Sequence, residues 1–113
     1  MRFALTAALA ALLATPALAQ AAPELAIALT LKDHRFVPDR ISVPAGVRIR
    51  INLSNQDGFI EEFDSDDLHV ERDVTPHGKT SFVVGPLVPG TYSFMGELHA
   101  LTAQGLLTVT QTP

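Results

Sequence analysis

The pattern of hydrophobic and polar residues predicts short β-strands along most of the chain. The clearest case is residues 47–55, VRIRINLSN, in which apolar side chains fill every second position through Leu53. Such alternation is typical of a strand with one face on a core and the other in solvent. Further apolar runs of strand length occupy residues 25–32, 41–46, 77–85, 91–95 and 105–110.

Glycine and proline separate these runs. Pro38 stops any helix after the polar turn region 33–40, in which Phe36 is the expected buried anchor, and Gly46 is free to take a positive φ. Residues 59–73 are the least strand-like part of the chain and leave room for a short helix. The whole pattern predicts an all-β protein, an antiparallel Greek-key β-sandwich.

The N-terminal segment has the layout of a secretory signal peptide. A single Arg2 precedes an Ala/Leu-rich run, then Pro16 and a small-x-small ending at residues 17–19. The Ala/Leu-rich run, residues 3–14, is too short to span a bilayer core of about 30 Å. We therefore expect a signal peptide at residues 1–19, a single domain at residues 20–113, a periplasmic location and no membrane insertion after cleavage.

Charge and cysteine content exclude several classes of function. The chain carries 8 basic and 12 acidic residues, and removal of the signal with Arg2 leaves 7 against 12, a net charge of −5. No basic patch appears, so nucleic acid is not an expected partner. The chain has no cysteine, so packing and a bound metal are the remaining means of stabilising so small an exported domain. No nucleophile elbow or phosphate loop is present either.

The most acidic part of the chain is residues 61–73, which hold seven acids and a single base, Arg72. The seven acids are Glu61, Glu62, Asp64, Asp66, Asp67, Glu71 and Asp73. Taken singly, each is best explained as part of a solvated charged loop. Taken together, crowded carboxylates repel one another unless a cation offsets them, and they raise the local concentration of cations such as Fe²⁺. The spacing does not match an EF-hand.

Four histidines could contribute an imidazole. His34 precedes Phe36 and is expected to have a structural or surface role, and His77 is expected in an exposed turn. His69 lies within the acidic segment and is a candidate for a supporting or transient ligand. His99 is the strongest candidate ligand, because it follows a predicted strand in the segment GELHALTAQG.

The C-terminal run PGTYSFMGELHALTAQGLLTV, with FVP, ISVPAG and INLSN earlier, resembles the cupredoxins over residues 25–110. The resemblance places Gly96 at the position of the copper-binding cysteine, His99 at that of the downstream histidine and Gln104 at that of the axial ligand. Glu61 and Glu62 fall where the upstream histidine is expected. Without a thiolate, the trigonal blue-copper centre is excluded, whereas a Gln axial ligand is compatible with such sites.

Two further segments, EEFDSDDLHVE at 61–71 and GELHALTAQG at 96–105, resemble the cysteine-free, cupredoxin-like proteins of bacterial periplasmic iron uptake. This resemblance implies work beside two partners, an inner-membrane iron permease and a second periplasmic metal protein. It also implies a role in oxidising Fe²⁺ during uptake.

The candidate ligands form a mixed oxygen and nitrogen set: Glu61 or Glu62, with Glu97 and His99. Such a set suits iron, Cu(II), Zn or Mn. The resemblance to cupredoxins and to iron-uptake proteins implies that the ion is iron or copper. Met95 would add a soft donor, although its alternation with neighbouring residues directs it away from the site and a core-filling role is the alternative. Three functions stay open: a metal protein of iron uptake, a non-catalytic metal carrier, and a structural or interaction sandwich that has lost its metal.

Overall fold

The computed structural model describes residues 2–4, 6–12 and 23–111. The predicted cleavage region around Ala19 lies outside these residues. Within the described ranges, no helix is both long and apolar enough to cross a membrane.

In the part of the chain that the structure describes, nine strands form two sheets that pack face to face. The strands are β1 (Glu24–Lys32), β2 (Arg35–Val37), β3 (Arg40–Pro44), β4 (Arg48–Asn55), β5 (Glu61–Ser65), β6 (Val70–Val74), β7 (Lys79–Val84), β8 (Gly90–Gly96) and β9 (Gln104–Thr110). One sheet has the order β2-β1-β4-β7, and the other has the order β3-β9-β8-β5-β6. A single 3₁₀ turn, Glu97–His99, follows β8 directly.

The prediction of an all-β sandwich is confirmed. The structure differs from the prediction in the direction of some strands and in the turn region 33–40. β1 runs parallel to β4, and β3 runs parallel to β9, so both sheets are mixed rather than purely antiparallel. Hydrophobic alternation reports which face of a strand is buried but not the direction of its neighbour, so the pattern could not show this. The predicted turn region 33–40 contains the three-residue strand β2.

The core lies between the two sheets, on the side chains that alternate inward. Ile49, Ile51 and Leu53 of β4 are buried, as the alternation predicts. Phe36 is buried as expected, and Gly46 takes the expected positive φ of 77°. The sequence pattern therefore identifies the core face of β4 correctly.

The short helix expected within residues 59–73 is wrong. This segment forms a hairpin of β5 and β6, with Glu61 opposite Val74 and Ser65 opposite Val70. Two of the three inward positions of β5 are polar, since Glu61 and Ser65 are both buried on either side of Phe63. Polar residues at buried positions conceal the period of two that a half-buried strand normally shows.

Gly105, at the start of β9, lies directly opposite Phe94 of β8. A Cβ atom at Gly105 would lie 2.1 Å from Cζ of the Phe94 ring, which is itself packed against Phe36 and Phe63. We expect Gly105→Ala to lower the free energy of unfolding by about 1–3 kcal/mol, as overpacking of a core does. Urea denaturation measures this change.

Gly58 provides the matched control for that substitution. The only atom near a Cβ at Gly58 is His77 Nε2, at 3.7 Å, which is an ordinary contact. We expect Gly58→Ala to change the free energy of unfolding by no more than about 0.5 kcal/mol. Equal effects of the two substitutions would show that the Phe94 ring does not need the space above Gly105.

Candidate metal site

The candidate site lies where β5 begins and β8 ends. In the pairing of these strands Phe63 lies opposite Gly96 and Asp64 lies opposite Met95. The 3₁₀ turn therefore continues past the first residues of β5, which brings Glu97 and His99 beside Glu61 and Glu62. The hairpin to β6 adds Glu71 and Asp73 on the same edge.

Glu61 is a buried carboxyl group that holds the loop together. It is 3% exposed. Its Oε1 accepts hydrogen bonds from the backbone N–H of Glu62 at 3.0 Å and of Leu98 at 2.9 Å. Its Oε2 lies 2.5 Å from Nδ1 of His99. Both oxygens are thus used within the protein, and Glu61 orients the His99 imidazole rather than facing solvent.

The side chain of Glu61 also occupies the space that a cysteine at residue 96 would need. Gly96 is buried and faces inward, and a Cβ there would lie 2.7 Å from Cδ of Glu61 and 2.8 Å from Cβ of Ala103. A carboxyl group therefore fills the place of the thiolate. The residues do not fit a blue-copper ion, which requires a cysteine in its trigonal ligand set.

Three carboxylates converge on the outer side of the same edge. Glu62, Glu71 and Glu97 each offer an oxygen atom within 4.8 Å of the other two. Glu62 is half-buried, and the other two are exposed. Among the residues the structure describes, no Lys, Arg or His nitrogen lies within 4.0 Å of these carboxylates. The cluster is thus anionic and has no neutralising side chain at contact distance.

This crowding changes the acidity of Glu62. Partial loss of solvent, the charge of Glu97 and a hydrogen bond with it, together with the charges of Glu71 and Asp73, raise the pKa of Glu62 to about 7. Around neutral pH the cluster therefore holds a proton that a bound cation would displace.

Not every predicted ligand joins these groups. Met95 and Gln104 lie opposite each other on β8 and β9, and both are exposed. The amide nitrogen of Gln104 donates to the carbonyl oxygen of Ala100 at 2.8 Å. Met95 is 41% exposed, so the alternative role as a core filler is wrong. Its side chain points to the face opposite the buried Phe94 and Gly96, and this direction was expected from the alternation. The six predicted ligands thus form three pairs. Glu61 with His99 and Glu62 with Glu97 lie near the 3₁₀ turn, whereas Met95 with Gln104 lies along the sheet.

One acid of segment 61–73 has a structural role instead. Asp67 accepts hydrogen bonds from the backbone N–H of Ser93 at 2.9 Å and from its hydroxyl at 3.1 Å. These hydrogen bonds, the backbone one first, hold the pKa of Asp67 below its ordinary value. Asp67 therefore ties the β5–β6 turn to the middle of β8.

The position of His34 beside His99 was not predicted from the sequence. Its ring stacks on that of His99, with centroids 3.8 Å apart and planes inclined by 13°. The signal that could have revealed it is the pair Asp33–His34 between two strand-like runs, because a two-residue hairpin loop brings such a side chain to the end of the sheet. Glu71 was recognised only as a member of the acidic segment, since its register against β5 depends on a hairpin that was not predicted.

Comparison with known proteins agrees with this architecture. The sequence model of a family described as a cupredoxin-like domain matches residues 3–109. The chain is 45% identical over 85 residues to the uncharacterized protein RP394 of Rickettsia prowazekii (strain Madrid E), a match that covers 75% of this chain and 68% of that protein.

Solved structures share the fold at low sequence identity. Auracyanin A, a blue copper protein of Chloroflexus aurantiacus, has a TM-score of 0.68 at 14% identity, covering 78% of this chain and 100% of that one. The metal-binding domain of the Cu(I)-exporting P-type ATPase CopA of Streptococcus pneumoniae D39 has a TM-score of 0.65 at 12% identity, covering 80% and 98%. These likenesses concern the fold alone.

Proposed function

The chain belongs to the cupredoxin-like domain family, and on this frame we propose that it is a periplasmic protein that binds iron or copper and supports the uptake of ferrous iron. The ion would be held by oxygen and imidazole ligands. In this proposal Glu62, Glu71 and Glu97 supply the oxygens, and His99, which belongs to the same 3₁₀ turn as Glu97 but not to the group of atoms within 4.8 Å, supplies the nitrogen.

One observation carries the proposal. Three carboxylates lie within 4.8 Å of one another, and no basic side chain of the described residues touches them. Mutual repulsion makes this arrangement unfavourable without a cation. His99, in the same 3₁₀ turn as Glu97, has its Nδ1 directed at the buried carboxyl of Glu61, which is the usual support of a metal-binding imidazole and leaves Nε2 without a hydrogen bond to the described residues.

The donor set favours certain ions. Carboxylate and imidazole suit Fe²⁺, Fe³⁺ and Cu²⁺, whereas Cu⁺ prefers the thiolate and thioether ligands that this group lacks. Anionic oxygen ligands also stabilise Fe³⁺ relative to Fe²⁺, because the interaction grows with the charge of the ion. The site is therefore suited to an iron ion that is to lose an electron to an external acceptor.

The expected partners are an inner-membrane iron permease and a second periplasmic metal protein. A contact surface is available at the same end of the sandwich. Phe59, Leu98 and Leu101 are exposed by 63%, 53% and 97%, and the Phe59 ring lies 6.3 Å from that of His99. Exposed apolar side chains next to a site support the docking of another protein there.

Calorimetric titration of the purified protein with Fe²⁺ under anaerobic conditions, and separately with Cu²⁺, tests the binding. We expect one ion per chain, with weaker binding in Glu62→Ala and in His99→Ala. No binding of either ion, or binding that neither substitution changes, would contradict the site.

An oxidation assay separates the remaining alternatives. With the purified partner protein as the acceptor, an oxidase converts Fe²⁺ to Fe³⁺ with one electron transferred per ion. A carrier binds the ion and releases it without oxidation. A sandwich with only a structural or interaction role binds neither ion.

The acidity of Glu62 makes metal binding depend on pH. The Glu62 carboxyl, with a pKa raised to about 7, must lose its proton before it can act as a ligand. We expect the apparent affinity to rise as the pH increases from 5.5 to about 7, with up to about one proton released per ion at pH 6 and little release above pH 8. Calorimetry in buffers of different ionisation enthalpy measures the protons released.

The same shift has the opposite effect on the stability of the metal-free protein. Between pH 4.5 and about 7 the folded chain keeps a proton on Glu62 that the unfolded chain has lost, so this residue's contribution to stability falls as the pH rises. Glu62→Gln serves as the control, because it should remove this part of the pH dependence. An unchanged pH dependence in the variant would assign the proton to another group.

A further inference from the structure

His34 is the residue near the site for which the proposed function has no use. It lies in the two-residue turn between β1 and β2, far from His99 in the chain, yet the two imidazole rings are stacked at 3.8 Å. We propose that His34 is a positioning residue, which fixes the plane of the His99 ring through the face of its own ring and not through a nitrogen ligand. This inference rests on the proposed function, in which His99 binds the metal.

The imidazole ring of His99 needs a second contact besides its hydrogen bond to Glu61 to fix its plane. Glu61 accepts from Nδ1 and thereby selects the nitrogen that stays free. One hydrogen bond in the plane of the ring does not prevent the ring from tilting about it. Contact with the face of the ring prevents this motion, and His34 provides that contact with planes inclined by only 13°.

The second step is that His34 is itself held from two sides. Asp57 accepts the backbone N–H groups of Asp33 at 2.8 Å and of His34 at 3.0 Å. The Thr102 hydroxyl, which comes from the loop after His99, donates to the carbonyl oxygen of His34 at 2.6 Å. The β1–β2 turn is thus tied to both the β4–β5 loop and the β8–β9 loop.

The third step concerns the orientation of the two rings. Ligands that share one ion direct their lone pairs at the same point, whereas nearly parallel, stacked rings direct their lone pairs side by side. Nδ1 of His34 also lies 3.7 Å from Oδ2 of Asp57, the oxygen that accepts the backbone N–H of His34. The stacked arrangement therefore favours a positioning role for His34 over direct binding of the ion.

Two substitutions at residue 34 separate the ring face from the ring nitrogens. Both Asp33 and His34 have positive φ, 52° and 57°. His34→Asn removes the ring but keeps a residue that tolerates this conformation, and His34→Phe keeps an aromatic face without a nitrogen. The readouts are the affinity for Cu²⁺ added alone and the NMR signal of the Nδ1-bound proton of His99 in the metal-free protein.

We expect His34→Asn to weaken Cu²⁺ binding by about 10- to 100-fold, the usual effect of losing a group that orients a ligand, and to broaden the His99 signal. We expect His34→Phe to retain the signal and to bind within about threefold of the wild type. Equal weakening of Cu²⁺ binding in both variants would show that a ring nitrogen of His34 is required. Unchanged Cu²⁺ binding and an unchanged His99 signal in His34→Asn would show that the stacked rings do not position His99. Either result would overturn the proposal.

A third variant keeps the test decisive. Thr102→Val keeps both rings but removes the hydroxyl that donates to the carbonyl of His34 at 2.6 Å and contacts that of His99 at 3.3 Å. The His99 carbonyl keeps the backbone N–H groups of Thr102 and Ala103 as donors, so the main loss is at His34. We therefore expect a broadened His99 signal in this variant even where His34→Asn does not fold. A wild-type signal in Thr102→Val would count against the positioning role. If the wild-type protein binds neither Cu²⁺ nor Fe²⁺, the proposed function fails, whereas the NMR signal still decides whether His34 orders the His99 ring.

Discussion

Replacement of Glu97 by Gln is expected to weaken Fe²⁺ binding by about 100-fold. Glu97 is the exposed carboxylate that lies within 4.8 Å of both Glu62 and Glu71, and it comes from the 3₁₀ turn that also carries His99. Gln keeps the shape of the side chain but removes the charge that attracts the ion. Even groups that only support a ligand change affinity by about 10- to 100-fold, so a direct ligand should reach the upper end of this range.

Asp73→Asn is the matched control for Glu97→Gln. Asp73 lies opposite Glu62 on β6, on the same outer face, but outside the group of three carboxylates. Its substitution removes one negative charge from the surroundings without removing a proposed ligand. The charge of an exposed residue is screened by salt, so we expect a change of no more than about threefold at 0.15 M salt. Equal losses of Fe²⁺ affinity in the two variants would show that the acidic surface attracts cations in general and that Glu97 is not a ligand.

Replacement of Glu61 by Ala is expected to have the largest effect on stability, a loss of about 2–4 kcal/mol in the free energy of unfolding. The buried Glu61 carboxyl accepts two backbone hydrogen bonds and the one from His99. Ala leaves these groups without their acceptor and leaves a cavity beside Gly96. Loss of one partner from a buried polar group costs about 1–3 kcal/mol, and loss of one partner from a buried ion pair costs more.

Glu61→Gln distinguishes the hydrogen bonds from the charge. Gln keeps an oxygen that can accept from Leu98 and fills the same space, so we expect a loss of only about 1 kcal/mol. Urea unfolding of both variants in the absence of metal gives the comparison. A Glu61→Ala protein within about 0.5 kcal/mol of the wild type would show that the 3₁₀ turn does not depend on this carboxyl.

The sandwich could be predicted from the sequence because its best strands follow the simple rule of alternation. β4 has apolar residues at inward positions and polar residues between them, and turns with Gly or Pro separate its neighbours. The β5–β6 hairpin escaped this rule because two of its inward side chains are polar, Glu61 beside the candidate site and Ser65 at the turn. Glu61 and Ser65 are buried and hydrogen-bonded, so their positions are stable although their residue types suggest a solvated loop.

The candidate site could be predicted only in part, for a related reason. Resemblance to the cupredoxins located Glu61, Glu62 and His99 at one end of the fold, donor chemistry added Glu97, and the structure pairs Glu61 with His99 and Glu62 with Glu97 there. It could not show that Glu61 supports His99 from inside while Glu62 and Glu97 point outward. Adjacent residues of a strand face opposite sides, so the direction of each depends on a strand that was not expected.

His34 and Glu71 depend on long-range register. His34 reaches His99 because the β1–β2 turn and the β8–β9 loop meet at one end of the sandwich, through the bond from Thr102. Glu71 reaches Glu62 because β6 pairs with β5. Neither contact leaves a local pattern in the sequence. Gln104 followed the family's order of ligands and Met95 was added as a soft donor, but both lie along the outer face of the sheet.

X-ray absorption spectroscopy of the metal-loaded protein tests most directly the claim that a carboxylate and imidazole site has replaced the copper–thiolate centre on this fold. The measurement is made at the Fe edge after anaerobic loading with one equivalent of Fe²⁺. We predict a first shell of oxygen and nitrogen atoms only, at about 2.0–2.2 Å, with the outer scattering of at least one imidazole. A sulfur atom in the first shell, which only a methionine of this cysteine-free chain could supply, or an ion without imidazole scattering would contradict it.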